Sequence, residues 1–415
     1  MSSPSGLSAR LPLRFNELAL LLAILVVVVI TATVDSNHSY VNQPYTSFRD
    51  IARNVALLGI FALGSAVVII GGGIDLSSGS MIAFSGTICA STMMLLAPQA
   101  MINMQPVGPW VALAGVAAAI TSGFLVGTLH AWLITSVRLP PFVATLATLV
   151  GLRSFARALC GYVTAKTLHG SGNTEINVYD PYFQFVREYV WFVYVPTFLI
   201  LAAFTWLLLS RTVLGRHIYA LGGNEQAAKL SGIRTDSVKW FAYCFSAITA
   251  SIAGIFYVAD QSVASPVNQG VGYELNAIAA AVVGGCSLQG GVGAVPGILL
   301  GVAFLRVVID AVAKLIKSGS DIYEGMIVGI VVVIAVTFSQ IRQIRSTGRE
   351  LFPGMLGVIA IPTLAGLFGL ITAMTTANVT YLLGRDVWIG VGVGLVTLVT
   401  LGAIKLIESR QNRAV

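Results

Sequence analysis

Charge is what this chain has least of. Asp, Glu, Lys and Arg make up only 10% of its 415 residues, against 56% hydrophobic. A soluble domain carries about 25% charged residues, so this composition cannot clothe a water-facing surface of ordinary size. It specifies a polytopic membrane protein. The four cysteines (Cys89, Cys160, Cys244, Cys286) lie scattered in or beside apolar runs, with no CxxC pair. That supports neither a disulfide framework nor a zinc site. The four histidines show no HExxH spacing, and no GxxxxGKS/T stretch occurs. The chain therefore lacks a phosphate-cradling loop of its own and cannot hydrolyse ATP by that route. No nucleophile–base or metal-ligand cluster supports a membrane enzyme. The net charge of +7 does not point to nucleic acid, because the basic residues cluster between hydrophobic segments, as they do in cytoplasmic loops.

What is present is a series of apolar runs near the roughly 20 residues that a helix needs to cross the hydrocarbon core. They cover 16–34, 51–70, 80–97, 110–136, 141–159, 193–210, 240–258, 274–285, 295–313 and 322–339, followed by 355–374 and 387–407. The run at 274–285 is too short alone and reads as a half-helix continuing into its glycine-rich neighbour. No small-residue cleavage site follows the first run, so Ala19 to Thr33 reads as a retained span. Arg10, Arg14, Arg138, the group from Arg211 to Lys239, Arg342, Arg345, Arg349 and the terminal Lys405, Arg410 and Arg413 fall on one side if the N-terminus is cytoplasmic. The opposite loops are poor in Lys and Arg, with the mixed-charge stretch 306–321 an exception. The positive-inside rule then places both termini inside, with twelve spans. Two stretches, GGIDLSSG at 72–79 and GGCSLQGG at 284–291, share four of eight positions. Close helix packing and a duplicated pair of broken helices both fit. Six spans between the copies suit an inverted repeat poorly.

Several polar residues interrupt the apolar runs. Asp75 stands in GGGIDLSSGS, where glycines free the backbone and Ser77, Ser78 and Ser80 can cap the helix that restarts. Its carboxylate fits either a helix-closing cap or a part of the pathway or its gate. Glu274 and Asn276 open the short eighth run. Glu274 fits a membrane-edge helix start, and equally a polar lining at the outer mouth. His130, within the fourth run, fits a hydrogen bond to a neighbouring helix or a ligand contact. Arg153 and Arg157, four apart at the outer end of the fifth, read as side chains snorkelling to the interface. Pro140 and Pro141 mark a helix start.

One stretch, LGGNEQAAKLSGIRTD (221–236), is small and polar between greasy segments. Gly222 and Gly223 break what precedes them, Asn224 is a good N-cap, and Glu225 suits the first turn. EQAAKLS favours helix, and Gly232 is placed to terminate it. The expected helix, about 10 Å long, is too short to stand alone. It must pack on something, and Ala227 and Ala228 are small enough to enter another protein's groove. A lipid-surface helix would carry bulky anchors such as Trp or Phe, and none occurs between 222 and 233.

With these residues in view, the chain resembles the permease subunit of bacterial ABC sugar importers. The nearest branch handles ribose, galactose, xylose, arabinose, galactofuranose and autoinducer-2. GGGIDLSSGSMIAFSG, RTVLGRHIYALGGNEQAAKLSGI and YELNAIAAAVVGGCSLQGGVGAVPG carry the resemblance, in order and spacing over about residues 15 to 345. It implies an all-α, roughly ten-span type II importer permease over 1–345, with a coupling loop at 211–239. Residues 350–415 add a two-helix membrane hairpin and a short cytoplasmic tail. It implies a bacterial inner-membrane protein that works with a second permease copy or paralogue, docks on a sugar ABC ATPase that binds the ATP and Mg, and receives sugar from a periplasmic binding protein. By that resemblance Gly223, Asn224, Ala227, Ala228, Ser231 and Gly232, with Glu225 among them, belong to the ATPase-coupling helix. Asp75, Ser77, His130, Glu274 and Asn276 are the candidates for the pathway or gate. The chain departs from the family pattern at Asn276, His130–Ala131 and Ala147, where Asp, Asn-Gly and Gly are usual. The resemblance thus implies a membrane translocation subunit for a monosaccharide, with no cofactor of its own. Its rival is an ion-coupled secondary transporter, which twelve spans and broken helices also suit.

Overall fold

The computed structural model describes residues 15–168, 172–315, 354–377 and 385–413, with a few positions between 325 and 333. In chain order its helices are α1 (Phe15–Val34), α2 (Ser39–Asn42), α3 (Pro44–Ile70), α4 (Ser78–Leu96), α5 (Pro98–Ile102), α6 (Pro109–Thr135), α7 (Pro141–Leu168) and α8 (Pro181–Glu188). There follow α9 (Tyr194–Arg211), α10 (Val213–Gly223), α11 (Glu225–Leu230), α12 (Thr235–Gln261), α13 (Tyr273–Val283), α14 (Val295–Leu315), α15 (Gly354–Ala377) and α16 (Asp386–Arg413). Two-residue strands β1 (Ile176–Asn177) and β2 (Val263–Ala264) pair antiparallel, Ile176 opposite Ala264.

Among the described residues ten helices are long and apolar enough to cross a membrane, and α13 is a shorter apolar one. The chain is an all-α polytopic membrane protein. Most of the expected span at 322–339, and the 345/350 boundary, lie outside the described residues. Proline opens α3, α5, α6, α7 and α8, where its missing N–H costs nothing. Hydropathy stopped α7 at residue 159, but the helix runs on to Leu168. There Thr164 and Thr167 return their hydroxyls to the carbonyls of Cys160 and Val163, so polar residues are accommodated without ending the helix. The half-helix α13 does not continue into its neighbour. The Cys286 N–H bonds back to Ala281 O and Gly285 takes φ +93°, which closes the helix at Val283.

The described residues form two compact units. The first takes residues up to Val27 and Ala52–Phe304. Its centre is α4, α6 and α12, drawn close by small residues. Gly86 lies against the Gly254 carbonyl, Gly123 against Ser251, and Gly127 against the Cys244 backbone. In lipid, where apolar burial drives little association, such close approach is what holds helices together. One end of this unit is closed by Cys89, Met93, Val107, Ile176, Phe183 and Val258, all buried. Asp180 fixes the connections there, accepting the N–H groups of Tyr182 and Val107, each at 2.9 Å.

The second unit takes Val28–Ile51 and Leu305–Val415. Tyr40 donates to Asp310 Oδ2 at 2.7 Å, and Lys314 reaches the same oxygen at 2.5 Å. The Lys314 ammonium also stands 4.5 Å over the Tyr40 ring. In the same unit α15 and α16 pair through Gly369, Gly390 and Gly394, where backbone meets backbone.

Candidate functional site

The polar insert folds as a lever-shaped pair of helices. Thr212 caps α10, its Oγ1 accepting the Gly215 N–H at 3.0 Å. Gly222 and Gly223 do not break that helix, contrary to the expectation from their flexibility. α10 runs through both and ends at Asn224, which takes extended backbone angles. Asn224 Oδ1 then accepts the Ala227 N–H at 2.9 Å and starts α11. The six-residue helix closes in a Schellman turn. Ile233 N–H bonds to Ala228 O and Gly232 N–H to Lys229 O, with Gly232 at φ +82°. Glu225, in the first turn, pairs with Lys239 of α12 at 2.6 Å.

The outward face of α11 is not the one expected. Ala228 is buried, only 4% exposed, and is the residue that anchors α11 to the protein. Ala227 points out, together with Gln226, Lys229, Ser231 and Gly232. Leu230, 91% exposed, is the apolar projection of the insert. Sequence reasoning sought Trp or Phe and passed over it; a leucine closing a polar helix was the available signal. Beside α11 opens a cleft of about 730 Å³, lined by Arg138, Gly223, Asn224, Glu225, Lys229, Asp236, Lys239 and, deeper, Gly71–Gly73 and Tyr243.

Two residues beyond Gly73, which lines the cleft, lies a buried polar centre. Past Gly73 the chain has no regular structure until α4. Within that stretch Asp75 is 2% exposed. Its Oδ1 accepts the Ser77 N–H at 2.9 Å and the Ser77 hydroxyl at 2.6 Å, and its Oδ2 accepts the Ser246 hydroxyl at 2.7 Å. Ser77 is the N-cap residue of α4 but makes no side-chain cap; its hydroxyl donates to Asp75. Asp75 therefore does two jobs: it fixes the turn before α4 and ties it to α12. Ser246 is the twelfth of the 27 residues of α12, about 17 Å along it. The carboxylate thus sits near mid-helix, where only donated hydrogen bonds make burial tolerable.

His130 belongs to the same neighbourhood. It is fully buried; its Nε2 lies 2.7 Å from Thr148 Oγ1 of α7 and its ring meets Tyr243 edge-on. Tyr243 in turn crowds Gly73, and Thr145 reaches the Ile74 carbonyl at 3.4 Å. Glu274, in the first turn of α13, lies against Gly79 in the first turn of α4, with Oε2 buried and without a hydrogen-bond partner among the described residues. Asn276, two residues on, is buried. Arg153 does not snorkel: its Nη1 donates to the carbonyls of Pro266 and Gln269 at 3.2 and 2.9 Å, holding the loop that precedes α13. Arg157 is exposed. The structure thus brings Asp75, Ser77 and His130 around one segment and sets Glu274 beside its end. The α11 residues stand apart, at the start of α12. Among the described residues no three His, Cys, Asp or Glu side chains group as a metal site.

Comparison with known proteins places a chain with this short capped helix and this buried carboxylate in a family. Residues 47–336 match the model of the branched-chain amino acid transport system / permease component family. The chain belongs to that permease family. It is similar to the ribose import permease protein of Escherichia coli K12, 34% identical over 328 residues, covering 78% of this chain and 93% of that one. The Bacillus subtilis 168 ribose import permease protein is 33% identical over 289 residues, 69% of this chain and 82% of that one. The autoinducer 2 import system permease protein of Yersinia pseudotuberculosis is 33% identical over 297 residues, 72% and 77% of the two chains. No solved structure matches. This permease is thus a multi-pass membrane protein whose matched region ends before α15.

Proposed function

We propose that this permease is the membrane subunit of an ATP-driven importer for a monosaccharide or related small sugar, working in a bacterial inner membrane with both termini in the cytoplasm. Similarity to ribose and autoinducer-2 import permeases supports the cargo class. The family description names another cargo, so the class rests on the relatives and not on the fold. A periplasmic binding protein delivers the sugar, a second permease copy or paralogue completes the path, and a separate ATPase supplies the energy.

The single observation that carries the reading is α11. It is capped at both ends, anchored inward by Ala228 and clipped to α12 by Glu225–Lys239, yet it presents Ala227 and Leu230 outward. A helix this short is not stable by itself, and a 91% exposed leucine on a polar insert is the form of an anchor residue for a pocket on a partner. In this reading closure of the ATPase pair moves α10 and α11, and the motion alternates access around the segment that holds Asp75, Ser77, His130, Glu274 and Asn276.

The test is association. Ala227→Glu combined with Leu230→Asp, in permease held in nanodiscs, is expected to lose binding of its partner ATPase while inserting in membranes as the wild type does. Undiminished ATPase binding by that double variant would remove α11 from the coupling role.

A further inference from the structure

Three glycine-rich stretches that are far apart in the sequence meet at one point. They are Gly71–Gly73 after α3, Gly222–Gly223 at the end of α10, and Gly290–Gly291 between α13 and α14. A Cβ on Gly222 would overlap the Ile70 carbonyl oxygen and come within 2.5 Å of Gly291 N. A Cβ on Gly290 would come within 2.7 Å of both Gly222 O and Gly72 Cα. The crossing is also hydrogen-bonded: Gly291 N–H donates to Ile70 O at 2.8 Å, and the Tyr219 hydroxyl of α10 donates to Gly293 O at 2.8 Å. Backbone therefore touches backbone on three sides, with no side chain between to absorb a displacement.

What leaves this crossing matters as much. Two residues beyond Gly73, Asp75 is fixed to α12 through Ser246. On the other branch, Gly284 packs against the Gly297 carbonyl and joins α13, which carries Glu274 and Asn276, to α14. The three residues between Gly73 and Ser77, in neither helix nor strand, can span at most about 3.6 Å each, so they form a short link and not a slack loop.

We infer that this glycine crossing is the transmission of the permease. It passes displacement of α10 and α11 directly to the Asp75 segment and to the α13–α14 turn, so that one movement repositions both halves of the polar centre. Gly222 is its positioning residue. Packed elements with two arrangements carry such coupling, and close-packed contacts with little compressibility transmit strain. The inference rests on the proposed ATPase coupling and adds where the motion goes.

Hydrogen exchange at residues 71–77 reads the transmission directly. The permease is reconstituted in nanodiscs with its partner ATPase and compared with and without ATP and vanadate. The wild type is expected to show a nucleotide-dependent change at 71–77. Gly222→Ala is expected to bind the ATPase and lose that change. Gly151→Ala, whose added methyl meets nothing within 4 Å, is expected to keep it. Tyr219→Phe, which removes the hydroxyl that bonds to Gly293 O, guards against misfolding of the alanine variant and is expected to diminish the change. A wild-type response at 71–77 in Gly222→Ala, or in Tyr219→Phe should Gly222→Ala fail to fold, overturns the transmission but leaves the coupling reading standing. Failure of the wild type to bind the ATPase overturns both.

Discussion

Removing the cap of α11 separates two roles that Asn224 could fill. Its side-chain oxygen accepts the Ala227 N–H at 2.9 Å, and the residue itself is exposed beside the cleft. Asn224→Ala deletes the cap, a loss of about 1 kcal/mol of helix stability. In a long helix that would go unnoticed. α11 has only six residues, and helices shorter than about 12 residues are marginal in water. Its order therefore rests on the cap, the Schellman turn, buried Ala228 and the Glu225–Lys239 pair, whose carboxylate is 46% exposed and worth little in water. If the ATPase grips the formed helix, loss of about 1 kcal/mol weakens binding by about fivefold. Asn224→Asp keeps an acceptor of equal capping strength and adds a charge that suits the helix start, so its affinity stays near wild type. Titrating nanodisc-held permease with labelled ATPase measures both. Equal weakening by Ala and Asp would refute the cap argument and make Asn224 a direct contact; no weakening by Ala would show that α11 is held without it.

Three further outcomes follow from the same contacts. Ser246→Ala removes a donor from Asp75 Oδ2 and is expected to cost about 1–3 kcal/mol, seen as a lower unfolding temperature in detergent; an unchanged midpoint would mean the carboxylate finds another donor. Leu230→Met keeps an apolar projection and is expected to retain ATPase binding, whereas Leu230→Asp loses it with no change in thermal stability, since the side chain packs on almost nothing; a destabilised Leu230→Asp would contradict the exposure argument. Arg153→Gln, which gives up the guanidinium that reaches both Pro266 and Gln269, is expected to speed amide exchange across 262–272; unaltered protection would show the loop holds itself.

Hydropathy located the spans because each is a continuous apolar run, a property that neighbours in sequence decide. The α11 caps were legible for the same reason: Asn224 and Gly232 act on amides within a few residues. The direction in which α11 faces was not. Six residues give no hydrophobic period, so nothing local distinguishes buried Ala228 from exposed Ala227. The glycine crossing was invisible because its members come from three separate parts of the chain, and glycine pairs read locally as breaks. Arg153 was misjudged on the same account: whether a guanidinium turns to lipid or inward depends on where the carbonyls of a loop more than a hundred residues away lie. Asp75 stood out as a charge in an apolar setting, but its partner Ser246 is one of many serines in the chain.

Transport in a defined membrane tests the central claim most directly. Proteoliposomes would contain this permease, its ATPase and its sugar-loaded binding protein, with ATP inside. The account predicts accumulation of the sugar that requires ATP and all three components, persists when proton and sodium gradients are collapsed, and is abolished by the Ala227→Glu, Leu230→Asp double variant. Accumulation driven by an ion gradient with the permease alone would contradict it and make the protein a secondary transporter.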